Sequence, residues 1–498
     1  MKDLFEIAQI VTPHKLRSVE LFNASEGKSD SMIQQLYDML QEKSVEDDDA
    51  AAEQLYGKDK SYSGYQKLRG SLKSRLINAL FLIDLKRSGY KDRKNAYFEA
   101  YREWAAAKIL LGKQARTAAL SIMLKLAKIS RKFEFTELQL DLLHTLRVYY
   151  STIEGDARKY KAYNQEYKLV QQKWMEESLA EELYLSLSVE FVNEKATKRE
   201  LQKQAVESYL TVKPALEKYD TYQLHLCGRL LEVSQFTVVN DYKQALEVCE
   251  RAIQFFEAKP YSATVPLQVF SYQRLICFLQ LQQPEPAFEA AAYCGKYVTE
   301  GDFNWFKIQE VLTLLHMHNQ HYEEAAVVIT SAVGHRNFES MPQNVQESWR
   351  IAEAYLYFLQ SVGALSEKWV TDFRPARFLN GIEVFSKDKK GMNIPILLLE
   401  ILLKTIDGGR DELIDRVDAL HKYRTRYLNQ AEDLQRSNLF MKLLLYLPKN
   451  AFDKAIVLEK AAKDWQCLQQ MPIPLASQPF EIEIVPYETL WVLLIGHL

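Results

Sequence analysis

Asp241-Tyr242-Lys243-Gln244-Ala245-Leu246-Glu247-Val248-Cys249-Glu250-Arg251-Ala252-Ile253 is the stretch on which the reading of this chain turns. Tyr242, Ala245, Cys249 and Ala252 stand at offsets 0, 3, 7 and 10, which places them on one face of a helix. The same offsets recur at Pro284, Ala287, Ala291 and Cys294, and again at Tyr322, Ala325, Ile329 and Ala332. The lead alanines are 42 and then 38 residues apart. A fixed pattern at a period near 40 residues predicts an array of helix pairs. One pair cannot bury its own apolar face, whereas stacked neighbours can. Alanine at the recurring positions lets paired helices approach closely, and the aromatic fills the groove between them.

Composition agrees with that reading. Of 498 residues 47% are hydrophobic, enough for a large core, while only 17 are Gly and 14 Pro. Few breakers among many Ala, Leu, Glu, Lys and Gln predict a mostly helical chain. The 28 tyrosines suit helix pairs with much surface, because the ring packs while the hydroxyl stays wet. The opening MKDLFEIAQIVTPHKLRS has no apolar core and no small-residue cleavage site, and no run of 18 apolar residues occurs. A cytoplasmic protein without a membrane span is therefore the expectation. Cys227, Cys249, Cys277, Cys294 and Cys467 form no CxxC pair and read as free thiols, mostly buried.

Charge is uneven. From Lys60 to Lys132 there are 18 Lys and Arg against 4 Asp and Glu, although the whole chain carries only -3. This asymmetry points to an anionic partner, nucleic acid first among them, through Lys67, Arg69, Lys73, Arg75, Arg87, Lys91, Arg93 and Lys94. The alternative is a solvated helical surface that pairs with acids elsewhere in the same molecule. On a helical wheel the basic residues of 65–83 form no single stripe: Arg69 and Lys73 flank one edge of the apolar face, Arg75 flanks the other, and Lys67 lies opposite. Just before the basic stretch, Asp47-Asp48-Asp49 reads as a helix cap and first turn, with the helix stopping at Gly57.

Three regions are expected. Residues 1–96 form a helical region whose short helices followed by a basic one resemble a helix-turn-helix unit. Residues 97–450 form the helical array, with breaks at Gly112, Gly155, Pro214, Asn240, Pro260, Pro284, Gly301, Asn319, Gly334, Gly363, Gly391 and Gly408. Further helix patterns lie at Thr117, Leu120, Leu124 and Ala127, at Tyr160, Tyr163, Tyr167 and Val170, and from Gly409 to Tyr423. Residues 451–498 hold a proline-rich link, an alternating run Phe480–Val485 that reads as extended, and an apolar last helix from Tyr487 that caps the array.

The Asp241–Ile253 stretch, with Pro260 beyond it, resembles the second helix of a tetratricopeptide repeat, and His321-Tyr322-Glu323-Glu324-Ala325-Ala326 through Ala332 is a second copy. The family period is ~34 residues, so the spacings here are longer. Val233, Leu275 and Thr313 stand where the family's first helix has a small residue, and Pro284 replaces the aromatic in the middle copy. The resemblance covers about 230–335. It implies an all-α solenoid of antiparallel helix pairs that binds a protein or peptide partner in a concave groove, without catalysis.

No phosphate-binding loop, dinucleotide fingerprint, zinc-protease motif, serine elbow or calcium loop occurs. His318 and His321 could share a face, but no Cys or carboxylate nearby completes a metal set, so neither metal nor cofactor is expected. The functional expectation is a non-enzymatic adaptor or regulatory scaffold. Two alternatives stand beside it. One is a peptide-responsive transcriptional regulator, resembling bacterial regulators with a small DNA-binding head and a tetratricopeptide body. The other is a structural subunit of a larger assembly.

Overall fold

The computed structural model describes residues 1–11, 27–83, 92–193, 198–381, 393–428, 434–473 and 483–498. Among them the regular structure is helical, in twenty-two α-helices, with no strand. Helices pack chiefly on their neighbours in sequence, consistent with a helical solenoid. The chain divides into two compact units: Met1–Met175 with Pro260–Ser262, and Glu176–Lys259 with Ala263–Leu498.

The first unit begins with α1 (Lys2–Ile10), α2 (Gly27–Glu42), α3 (Asp48–Tyr56) and α4 (Ser63–Leu80). Leu4, Leu36, Leu40, Tyr65, Leu72 and Leu76 form its core. Asp47 caps α3 as its spacing predicts, its Oδ1 accepting from the Ala50 amide at 2.8 Å. Gly57 closes the helix at φ 61°, a left-handed conformation open to glycine. Next come α5 (Asp92–Gly112), α6 (Arg116–Phe133), α7 (Thr136–Thr152) and α8 (Ala157–Asn193), the last reaching into the second unit. The face that α6 buries is Ala119, Met123, Leu126, Ala127 and Ser130. Of the predicted face only Ala127 is fully buried, because α6 packs on both α5 and α7 and the covered stripe is wider and shifted.

The second unit holds the repeat. After α9 (Lys198–Lys218) come α10 (Tyr222–Thr237) with α11 (Tyr242–Glu257), α12 (Thr264–Gln280) with α13 (Pro284–Gly295), and α14 (Phe303–His318) with α15 (Tyr322–Val333). Pro214 lies inside α9 rather than ending a helix. Every alanine of the three-fold pattern is buried, and so are Tyr242, Cys249, Cys294, Tyr322 and Ile329. The turns repeat as closely as the helices. Asn240, Gln282 and Gln320 are left-handed at φ 61°, 54° and 58°, each five residues before its lead alanine. The amide after each one bonds five residues back, Asp241 to Phe236 O at 2.9 Å, Gln283 to Phe278 O at 3.0 Å and His321 to His316 O at 2.9 Å. This closure satisfies carbonyls left over at the end of the first helix and sets the angle of the second. Gln114 repeats the device ahead of Ala119 in the first unit. Between α9 and α10, Gly228 allows a close approach: a Cβ there would stand 2.8 Å from Leu216.

The unit continues through α16 (Gln343–Ser361), α17 (Pro375–Gly381), α18 (Asn393–Ile406), α19 (Arg410–Tyr423), α20 (Gln435–Lys449) and α21 (Lys454–Gln470) to α22 (Tyr487–His497). The α22 helix buries Leu490, Trp491 and Leu494, and Tyr487 stacks on Phe440 with ring centroids 4.4 Å apart. Buried Arg436 holds this end: its Nε donates to Glu483 Oε1 at 2.6 Å and its Nη2 to Glu488 Oε2 at 2.7 Å. Of the run predicted as extended, Phe480–Ile482 lies outside the described residues, and 483–486 form an irregular link.

Candidate functional site

Of the eight basic residues singled out from the sequence, Arg69, Lys73 and Arg93 are engaged by groups of the same molecule. Arg69 donates to Asp3 Oδ1 at 2.8 Å and its Nε lies 3.0 Å from Asp48 Oδ1. Lys73 reaches Asp3 Oδ2 at 2.5 Å, and Tyr65 OH donates to Asp48 Oδ1 at 2.7 Å. The Lys73 hydrogen bond, with the charge of Arg69, holds the Asp3 carboxyl down to about 2. Arg93 serves the end of α6, donating to Phe133 O at 3.0 Å and lying 5.0 Å over the Phe135 ring. Lys67 and Lys94 are exposed and Arg75 is half-buried. Arg87 and Lys91 lie outside the described residues.

Other cations of 60–132 are also engaged. Lys60 pairs with Asp49, Lys108 with Asp141, Lys125 with Glu103 and Arg131 with Glu166, at 2.5 to 3.0 Å. Asp3, Asp48, Asp49, Asp141 and Glu166 all fall outside that stretch, so a local count sees the cations and misses their partners. Most of these pairs are exposed and contribute about 0–1 kcal/mol each, yet a guanidinium bound to two carboxylates is a poor phosphate ligand.

The histidine run separates as well. His316, His321 and Phe288 form one cluster of rings, with the two imidazole centroids 6.1 Å apart and 4.9 and 6.3 Å from that of Phe288. His318 Nε2 is hydrogen-bonded to Glu483 O at 2.5 Å. Among the described residues no group of three or more His, Cys, Asp or Glu could hold a metal ion. Cys227, Cys249, Cys277 and Cys294 are buried, and burial pushes the Cys227 thiol up to about 12, a protonated and unreactive form. Cys467 is exposed.

Concave features occur in both units: a recess of about 370 Å³ in the first is lined by Leu140, Asp141, His144, Tyr167 and Trp174, and two more lie in the second. Where α11, α13 and α15 each expose one polar face, the first helices α12, α14 and α16 are almost everywhere buried or half-buried. A recess of about 440 Å³ between α13 and α14 is walled by Phe288, Ala291, Trp305, Ile308 and Leu312, with Glu300 and Gln309 as its polar groups. A larger one, about 500 Å³, lies between α16 and residues 369–381. Its construction is specific. Gln360 of α16 accepts from the amides of Trp369 and Val370 at 2.7 and 3.0 Å, and Glu323 of α15 accepts from Ser366 N at 2.7 Å and Trp369 Nε1 at 2.6 Å. These bonds lay the 366–370 loop over α16, and Phe373 packs on Tyr357 and Phe378 at 4.9 and 5.5 Å.

The larger cavity thus has an aromatic wall of Trp369, Phe373 and Phe378 and a charged rim. Arg350 is committed, donating to Glu353 at 2.9 Å and lying 5.1 Å over the Phe338 ring. Arg374 and Arg377 line the cavity, are exposed, and have no ion-pair partner among the described residues. The sequence reading passed over this site. Its one signal is the interleaving of aromatic and basic residues in Trp369-Val370-Thr371-Asp372-Phe373-Arg374-Pro375-Ala376-Arg377. No helix of the described residues is long and apolar enough to cross a membrane. The chain matches no family model, no curated protein and no solved structure.

Proposed function

We propose that this protein is a non-enzymatic scaffold whose tetratricopeptide-like helix pairs bind a segment of a partner protein. The cavity between α16 and the 369–381 stretch is the anchoring point. The observation that supports this reading is the pair of uncommitted guanidinium groups, Arg374 and Arg377, beside the aromatic wall of a cavity of about 500 Å³. That volume suits one or two side chains of a bound segment. An apolar or aromatic side chain would fill the wall, and a neighbouring Asp or Glu would take the guanidinium, whose fork geometry matches a carboxylate. Each such charged hydrogen bond contributes about 1.5–3 kcal/mol, so losing both costs well over tenfold in affinity. Nucleic-acid contact through 60–132 has weaker support, because Arg69, Lys73 and Arg93 are spent inside the molecule.

Selection of a displayed random-peptide library on the full chain tests the proposal. Segments with Asp or Glu next to an aromatic or Leu should be enriched on the wild type and lost on Arg374→Glu/Arg377→Glu. The same enrichment on the double variant, or none on the wild type, removes the reading.

A further inference from the structure

Helices α7 and α8 of the first unit meet near their joined ends and leave a recess further along. Tyr150 stacks on Tyr163 with ring centroids 5.4 Å apart, and Arg147 Nη1 donates to Asn164 Oδ1 at 3.2 Å. Beyond these contacts the recess of about 370 Å³ opens between the two helices. One wall is α7, where Glu137, Leu140, Asp141 and His144 stand at offsets 0, 3, 4 and 7 and so share a face. The other wall is α8, where Tyr167 and Trp174 lie seven residues apart on one face. All six residues belong to the first unit.

Most polar groups of the recess are already answered. Asp141 Oδ2 accepts from Trp104 Nε1 at 2.8 Å, and its Oδ1 pairs with Lys108 at 3.0 Å. His144 Nδ1 lies 3.1 Å from Arg147 Nη2. Two groups remain. The carboxylate of Glu137, exposed in the first turn of α7, has no hydrogen bond or ion pair among the described residues. The Trp174 side chain, 38% exposed, has no hydrogen bond, ring contact or cation contact among them. An acid and an indole left open on opposite walls of one recess select a cation, because the ring face attracts it and the carboxylate pairs with it. The chain itself displays this chemistry, since the Arg147 guanidinium lies 3.9 Å from the ring centroid of Tyr167, a residue of the same recess. A guanidinium suits both walls better than an ammonium. Its plane stacks on an aromatic face, its N–H fork matches a carboxylate, and it is more weakly hydrated.

We propose that this recess binds an arginine side chain of a partner polypeptide, with the guanidinium stacked on Trp174 and paired with Glu137. It is a docking point opposite in charge to the one at Arg374 and Arg377, and it does not depend on that reading.

Isotopic labelling of the seven tryptophan indole nitrogens in the full chain, read by NMR, tests this, with the Trp174 signal assigned from Trp174→Phe. The probe is Nα-acetyl-arginine methylamide, added up to about 50 mM at constant ionic strength. The Trp174 signal should move saturably, with a dissociation constant in the millimolar range. Nα-acetyl-citrulline methylamide, the neutral isostere, should leave it in place, and Nα-acetyl-lysine methylamide should bind more weakly. Glu137→Gln, with helix content checked by circular dichroism, should lose about tenfold in affinity for the arginine probe. A Trp174 signal that does not move, one that follows citrulline as closely as arginine, equal affinity for lysine and arginine, or an undiminished response in Glu137→Gln overturns the proposal.

Discussion

The α10–α15 pairs and helix α8 are built from the same kinds of residue and spend them in opposite ways. In the pairs, the apolar and small residues face one another, and three nearly identical turns hold them there. In α8, Tyr160, Met175, Leu185 and Val189 are exposed, and only four of its described side chains are buried. The contrast teaches where each region's stability comes from. The pairs are held by burial, so substitutions there act on folding. The exposed positions of α8 have little burial to lose, so substitutions there leave folding nearly unchanged.

The largest effect should separate the two regions outright. Phe270 on α12 is fully buried, and Phe270→Ala should cost about 3–5 kcal/mol in urea denaturation, whereas Leu185→Ser at an exposed position of α8 should stay within about 0.5 kcal/mol. Comparable losses at the two sites would erase the distinction.

A pH-dependent effect sharpens it next. His225 of α10 is buried, lies 3.8 Å from the Phe255 ring centroid in a stacked arrangement, and has Nε2 3.1 Å from Tyr219 O. Burial, with the nearby charge of Arg229, lowers it to about 4. The folded state therefore holds this ring neutral while the unfolded chain protonates near 6.5. Its contribution, about 3 kcal/mol, is present above pH 6.5 and is lost as pH falls from there toward 4. His225→Phe should flatten the stability profile over that window, and an unchanged profile would refute the assignment.

The smallest effect concerns the turns. Gln282 adopts φ 54°, where a Cβ is unfavourable, so Gln282→Gly should raise the urea midpoint by the equivalent of about 0.5–1 kcal/mol. A loss of stability would mean that the side chain, not the backbone, sustains the turn.

The same contrast explains what the sequence made legible. Tyr242, Ala245, Cys249 and Ala252 could be read because burial imposes one spacing on each copy, and a spacing repeats visibly along the chain. The left-handed turns were visible only as breaks at Asn240 and Asn319, since a Gln or Asn gives no glycine-like mark. Pro214 misled because a proline can sit within a helix when local packing tolerates the missing hydrogen bond. The Tyr160–Val170 pattern was recognised as helical, yet its continuation to Asn193 was not, although no breaker interrupts it. The charge count over the basic stretch leaves out some of its counter-charges for a physical reason: Asp3 and Asp48 meet Arg69 through folding, and no short window of sequence contains the encounter. The cavity at Trp369–Arg377 was missed likewise, because its floor is α16 and its clamp is Glu323 and Gln360.

The anchoring of a partner's acidic segment proposed for Arg374 and Arg377 is open to a charge-swap experiment. Calorimetric titration of a selected acidic–aromatic peptide into the wild type, Arg374→Glu/Arg377→Glu, and the double variant with the peptide's carboxylates replaced by Lys tests it most directly. The peptide should bind the wild type, lose more than tenfold in affinity for the variant, and recover when its charge is reversed. Equal affinity of the original peptide for wild type and variant would contradict it.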